Sequence, residues 1–222
     1  MIDYAAARFN MVDGQLRTNK VTDPAVLDAF LTVPRELFVP AGLRGIAYVD
    51  DDIALGNGRS LIEPMVLARL LQLGAIGPQD KVLEVGCATG YATALLSRLS
   101  SSVTALESDP RLAAIARALL GQQGSSAQVV EGELAEGWRA GAPYDVILLN
   151  GAVAEIPPAV AEQLAEGGRL VGVVNSDGGP AGRGMGEAVL MTRAEGSLSR
   201  RAVFDAAVHA LPGCGRAPSF VF

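Results

Sequence analysis

Residues 81–107, KVLEVGCATGYATALLSRLSSSVTALE, carry the reading from which the rest of the chain follows. Val82, Leu83 and Val85 form a β-prone apolar run that stops at Gly86. Gly86 and Gly90 then bracket a short turn before a helical stretch, Tyr91 to Leu99. Glycines in such a turn let backbone approach a ligand closely. A second apolar run, Val103 to Leu106, ends in Glu107, about 20 residues past the first glycine, where a carboxylate can accept both hydroxyls of a ribose. Strand, glycine turn, helix, strand and terminal acid describe a nucleoside crevice.

The spacing separates the possible nucleosides. A dinucleotide turn needs a glycine where the pyrophosphate passes, and Ala88 stands there; no phosphate-binding lysine follows. Glu84, Gly86 and Gly90 give E-x-G-x-x-x-G, and with the acid ending the next strand this resembles the S-adenosylmethionine-dependent methyltransferases of the Rossmann-like class. The resemblance implies S-adenosyl-L-methionine as cofactor, held by Glu84, Gly86, Cys87, Ala88, Gly90, Glu107 and Ser108.

Composition is compatible with that class. A chain of 222 residues, half of them hydrophobic and 19% charged, is long enough for one α/β domain with a large core and extensions. A net charge of −6 argues against a nucleic-acid surface, which needs clustered Lys and Arg. Cys87 and Cys214 are too few and too far apart for a disulfide framework or a metal site. Asp3, Arg8 and Asp13 interrupt any apolar leader and no stretch approaches a membrane span, so the cytoplasm is the default.

Before the crevice, residues 1–64 read as a helical, substrate-side extension. Met11 to Leu16 is a short amphipathic segment, and Asp23 as N-cap with Pro24 at the first helical position starts a helix through Leu31. Asp50, Asp51 and Asp52 form an acidic run, either a solvated loop or one bordering a substrate. Pro64 opens a helix that Gly74 ends, and the free backbone donors at its start favour an anion, such as a carboxylate.

Within the core, 65–175, Ser108-Asp109-Pro110 caps a helix in which Leu112, Ile115, Ala116 and Leu119 recur at core spacing. Ala127 to Val130 is a third strand, followed by Gly132 and Glu133, the latter either a solvated acid or an acceptor for an adenine amino group. Tyr144 to Leu149 is a fourth strand ending at Asn150, over the cofactor; Pro157-Pro158 starts a helix through Ala165, and Leu170 to Val174 is a fifth strand. In 176–222, a glycine-rich connection leads to closing antiparallel strands around Ala188–Met191 and Ala202–Phe204. His209, the only histidine, reads as structural. The expected fold is α/β, a mostly parallel twisted sheet with helices on both faces and an N-terminal helical extension.

Several stretches carry a closer resemblance: DPAVLDAFLTVPRELFV (23–39), Ala47-Tyr48, the Gly58 to Pro64 turn, the glycine loop, and Ala142 to Asp145 through Gly168-Arg169-Leu170-Val171. They are similar to protein-L-isoaspartate O-methyltransferases, and V-P-R-x-x-F-V-P, here Val33 to Pro40, is the most specific part. The resemblance implies methylation of an isoaspartyl carboxylate in a protein or peptide, with Glu107 on ribose, Glu133 near adenine and no metal. It also exposes a departure. The family's turn usually reads G-x-T-[IV]-S-x-P; here Ser60 takes the threonine position, Ile62 the place of the substrate-facing serine, and Glu63 adds a negative charge.

Methyl transfer to a carboxylate needs alignment and desolvation but no strong base, so the lack of a catalytic histidine is no objection. Ser60, Arg59 and backbone donors before Pro64 remain as carboxylate partners, although Arg59 reads equally as a solvated residue. The altered turn leaves two alternatives open: a methyltransferase of another acceptor, or a cofactor-binding adaptor without turnover.

Overall fold

The computed structural model describes residues 2–175 and 183–215. Among the described residues seven strands form one sheet: β3 (Lys81–Val85), β4 (Ser102–Glu107), β5 (Gln128–Glu131), β6 (Tyr144–Val153), β7 (Leu164–Val174), β8 (Arg183–Ala194) and β9 (Ser197–His209). Their order is β5-β4-β3-β6-β7-β8-β9, parallel as far as β7 and antiparallel beyond. Chain order reverses at β3, whose neighbours are β4 and β6, and that switch point is where an open α/β sheet leaves a crevice. A separate hairpin, β1 (Ile53–Gly56) with β2 (Arg59–Leu61), precedes the sheet.

Alternation along the strands sorts two cores. Val82, Ala105, Val146, Leu148, Val171 and Val173 face one side, with Leu83, Val85, Leu106, Ile147, Leu149 and Leu170 on the other. Strands buried on both faces read as near-continuous apolar runs, which is why the central strands were visible in the sequence. The first face is covered by α2 (Pro24–Thr32), α3 (Pro64–Leu73), α4 (Tyr91–Leu99) and α5 (Pro110–Gln122). Phe30 of α2 meets Tyr91 of α4 edge to face, 6.1 Å between ring centroids, so the N-terminal extension is seated directly on the helix that follows the glycine turn.

Local chemistry sets the helix starts. Asp23 accepts from Ala25 and Val26 N–H, Asp109 from Arg111 N–H, and both are followed by proline. A first helix, α1 (Tyr4–Met11), begins upstream of the expected segment, capped by Asp3 on Ala6 N–H, and Val12–Leu16 continues it as a π-helical turn. In α5 the buried stripe is Leu112, Ala113, Ala116 and Leu120, whereas Ile115 is 45% exposed. The inward stripe runs at i, i+4 and i+8, which turns Ile115 out.

The second face is covered more thinly. The helix expected from Pro157 to Ala165 is only α6 (Pro158–Ala161), and β7 begins at Leu164. Gln163 supplies the reason. Its buried side chain donates to the Glu136 and Ala159 carbonyls and accepts from Trp138 N–H, while its own carbonyl accepts from Tyr144 N–H. The closing strands are longer than expected, because much of β9 is exposed on both faces and shows no alternation. The glycine-rich connection at 176–182 and the tail from 216 lie outside the described residues.

Gln163→Ala should strand three part-buried backbone groups at about 1 kcal/mol each. The melting temperature is expected to fall by roughly 6–12 °C, against little change for an exposed control such as Gln123→Ala. Calorimetry would read both variants.

Candidate functional site

The expected site residues converge at the carboxyl ends of β3, β4 and β6. Gly86 and Gly90 adopt φ of +87° and +92°, which a side chain would resist, and Ala88 sits at +52°. The turn is tied down by Gly86 and Cys87 N–H on the Leu106 carbonyl, at 2.8 and 3.0 Å, and by the Thr89 hydroxyl on the Phe38 carbonyl, at 2.7 Å. Thr89 therefore joins the glycine turn to the Val33–Pro40 stretch. Arg35 in that stretch is fully buried, donates to the Ala47 and Ile62 carbonyls at 2.8 and 2.9 Å, and lies over the Tyr91 ring.

Glu107 is fully buried. One carboxylate oxygen accepts from Ser108 and Asp109 N–H at 2.9 and 3.1 Å, and the other from Ala88 N–H at 2.7 Å. Arg59 from β2 is the fourth donor: Nη1 stands 2.5 Å from Glu107 Oε1, and Nη2 donates to the Gly86 carbonyl at 3.0 Å. Only 4% of Arg59 is exposed, so it is neither a solvated residue nor free for an acceptor. Gly132 N–H meets the Glu107 carbonyl at 3.1 Å, while neighbouring Glu133 is exposed.

Glu84, one strand over, accepts from Asn150 Nδ2 at 2.8 Å and from the Thr93 hydroxyl at 2.6 Å. Burial pushes its carboxyl up to about 7, and the two hydrogen bonds offset only part of that. Cys87 and Cys214 are both buried; desolvation raises the first thiol well above its ordinary value and the second to about 11.

The acceptor side differs from the expectation in three respects. The donors that open α3 are already met by the chain's own acids, Asp52 accepting from Glu63 N–H at 2.9 Å and Asp50 from Met65 N–H at 3.4 Å. Asp52 is not a solvated loop acid: its side chain is 1% exposed and its other oxygen lies 2.8 Å from His209 Nδ1. His209 thus belongs to this site, lining a small cavity with Ser60, Ile62 and Asn150. Sequence spacing could not pair residues 157 positions apart. Ile62 is 4% exposed and packs into the larger core while its carbonyl receives Arg35.

Leu211 is the residue that sequence reasoning missed entirely. Beyond β9 the chain turns back to β6, with Leu211 N–H on the Ala152 carbonyl and Ala154 N–H on the Cys214 carbonyl. A Cβ placed on Gly86 would stand 2.6 Å from Leu211 Cδ2 and 3.2 Å from Arg59 Nη2; one on Gly151 would meet Leu211 at 2.7 Å. The cavity left here is about 10 Å³, room for roughly one water, whereas ligand pockets run to about 300–1,000 Å³. A larger cavity, about 340 Å³, lies apart from it between α1 and the Arg44–Val49 stretch. As arranged, the Glu107 carboxylate that a ribose would use is engaged by Arg59, and Leu211 lies against the Gly86 turn. Among the described residues no three His, Cys, Asp or Glu side chains gather to hold a metal ion, and no helix is long and apolar enough to cross a membrane.

A carboxyl raised to about 7 binds its proton more tightly folded than unfolded, where 4.5 is usual. Its contribution to stability is full below about pH 4.5, is lost as pH rises to about 7, and is flat above, a loss of roughly 3 kcal/mol. Urea unfolding at pH 5 and pH 7.5 should show this loss in the parent and a smaller one in Glu84→Gln. Equal losses would mean that Glu84 is ionised throughout.

Comparison with known proteins follows the same geometry. The family model for protein-L-isoaspartate(D-aspartate) O-methyltransferase matches residues 8–181. A protein-L-isoaspartate O-methyltransferase of Koribacter versatilis is 44% identical over 174 residues, 78% of each chain, and one of Methylorubrum extorquens is 42% identical over 177 residues, 80% of this chain and 78% of that one. Among solved structures, a Plasmodium falciparum protein assigned to the same activity, in complex with S-adenosyl-L-homocysteine, superposes with a TM-score of 0.77 at 17% identity, covering 95% of this chain and 99% of that one. That likeness extends the Rossmann-like fold to nearly the whole chain.

Proposed function

Because the chain belongs to the protein-L-isoaspartate O-methyltransferase family, whose members are S-adenosylmethionine-dependent methyltransferases, we propose that it methylates a carboxylate on a protein or peptide, with isoaspartyl residues as the first substrate class to test. The observation that carries this reading is the buried Glu107 carboxylate, set by three backbone donors beside the Gly86–Gly90 turn at the sheet's switch point. When bound, the cofactor supplies an electrophilic methyl group.

The chain's own part is to hold and dehydrate the nucleophile. A carboxylate is already the reactive form, so no proton needs removing, and the required groups are donors in a water-poor setting. Ser60, Asn150 and His209 line one cavity and supply hydroxyl, amide and imidazole groups to that setting. Ile62 contributes no donor, and Asp52 beside His209 adds a negative charge that an acceptor carboxylate must tolerate. Those two facts favour a second reading, transfer to a less anionic acceptor in the same cavity.

Restoring a hydroxyl separates the two. Ile62→Ser removes buried apolar contacts, so a loss of about 2–4 kcal/mol in stability is expected. Transfer of labelled methyl to an isoaspartyl peptide should nonetheless rise at least tenfold in Ile62→Ser with Glu63→Ala, since one hydrogen bond to a charged oxygen is worth about 1.5–3 kcal/mol. An aspartyl peptide should remain inert. If neither single nor double variant gains on the isoaspartyl peptide while cofactor affinity holds, the isoaspartyl reading fails and the second reading stands.

A further inference from the structure

We propose that Arg59 is an exchangeable counter-ion: it closes the nucleoside crevice on Glu107 in the free protein and, once nucleoside hydroxyls take Glu107, turns to the acceptor's carboxylate. The proposal rests on the methyltransferase reading and assigns a residue that determines when its two sites fill. Glu107 keeps three backbone donors without Arg59, so the carboxylate does not need the guanidinium to remain buried. Three of its four donors within 3.1 Å fall on Oε1, Arg59 among them. A ribose hydroxyl reaches that oxygen only when Arg59 withdraws.

Close contacts at the Gly86 turn favour the same exchange. Arg59 and Leu211, 4% and 3% exposed, are the side chains that a Cβ on Gly86 would strike first, and the cavity beside them holds about 10 Å³. Leu211 is seated through its own N–H on Ala152 and leaves with its segment, whereas Arg59 is tethered to β2, next to Ser60. A guanidinium cannot shed its charge, and a buried one left without an anion is costly. The cavity it borders also contains Ser60 and His209, so an acceptor carboxylate entering there meets the displaced cation. Cofactor and acceptor then bind with positive coupling, each making the other's site available, and the coupling must be reciprocal.

The test measures S-adenosyl-L-homocysteine by titration calorimetry in the parent, in Arg59→Gln and in Leu211→Ala, each with and without a saturating isoaspartyl peptide. Arg59→Gln is expected to bind the nucleoside at least tenfold more tightly than the parent and to lose the peptide's effect. Leu211→Ala should also bind more tightly but keep that effect, because the counter-ion is intact; it carries the test if Arg59→Gln does not fold. A purely structural Arg59 would weaken binding when replaced, the opposite sign. Binding in the parent with no tightening in either variant overturns the exchange and leaves the family reading intact. Absence of binding in the parent and in both variants overturns the cofactor reading and the exchange with it.

Discussion

A buried carboxylate has to be surrounded by donors before the chain around it can settle, and Glu107 meets that constraint mostly with backbone. The donors come from two adjacent strand ends beside the switch point: Ala88 from the turn after β3, Ser108 and Asp109 from the turn after β4. Satisfying one side chain therefore sets the relative position of two strand ends and of the helix starts that follow them. The positive φ at Ala88, unfavourable for a residue with a Cβ, is held because its N–H has this partner.

A second constraint passes through the N-terminal extension. Arg35 gathers the Ala47 and Ile62 carbonyls, and Thr89 takes the Phe38 carbonyl, so the loops before α3 are bound to the crevice by hydrogen bonds made inside the core. That arrangement explains why V-P-R-x-x-F-V-P is so informative as a pattern: it fixes where β1 and β2 hang over the sheet, and with them Arg59 and Ser60.

Features that depend on near neighbours in the chain were legible. The β3 turn, the acid ending β4, the prolines that follow Asp23 and Asp109, and the start of α3 at Pro64 all follow from local backbone requirements. Arg59 was visible only as an ambiguous cation, because its partner lies 48 residues away. Asp52 looked like part of a solvated run since Asp50 and Asp51 are indeed exposed, and nothing in the run marks the one side chain that turns inward. Leu211 is an ordinary apolar residue near a strand end; its consequence arises from the path of the chain back to Ala152, which composition does not encode.

That returning path also couples the crevice to sulfur chemistry. Cys214 sits three residues past Leu211 in the same returning segment, is buried, and receives Ala154 N–H on its carbonyl, so lifting the segment at Leu211 loosens the backbone that carries this thiol. While the segment is seated, burial keeps both cysteines protonated and therefore poor nucleophiles. Alkylation of Cys214 by a small electrophile would therefore report how often that segment lifts, a clock internal to the molecule that needs no ligand to be read.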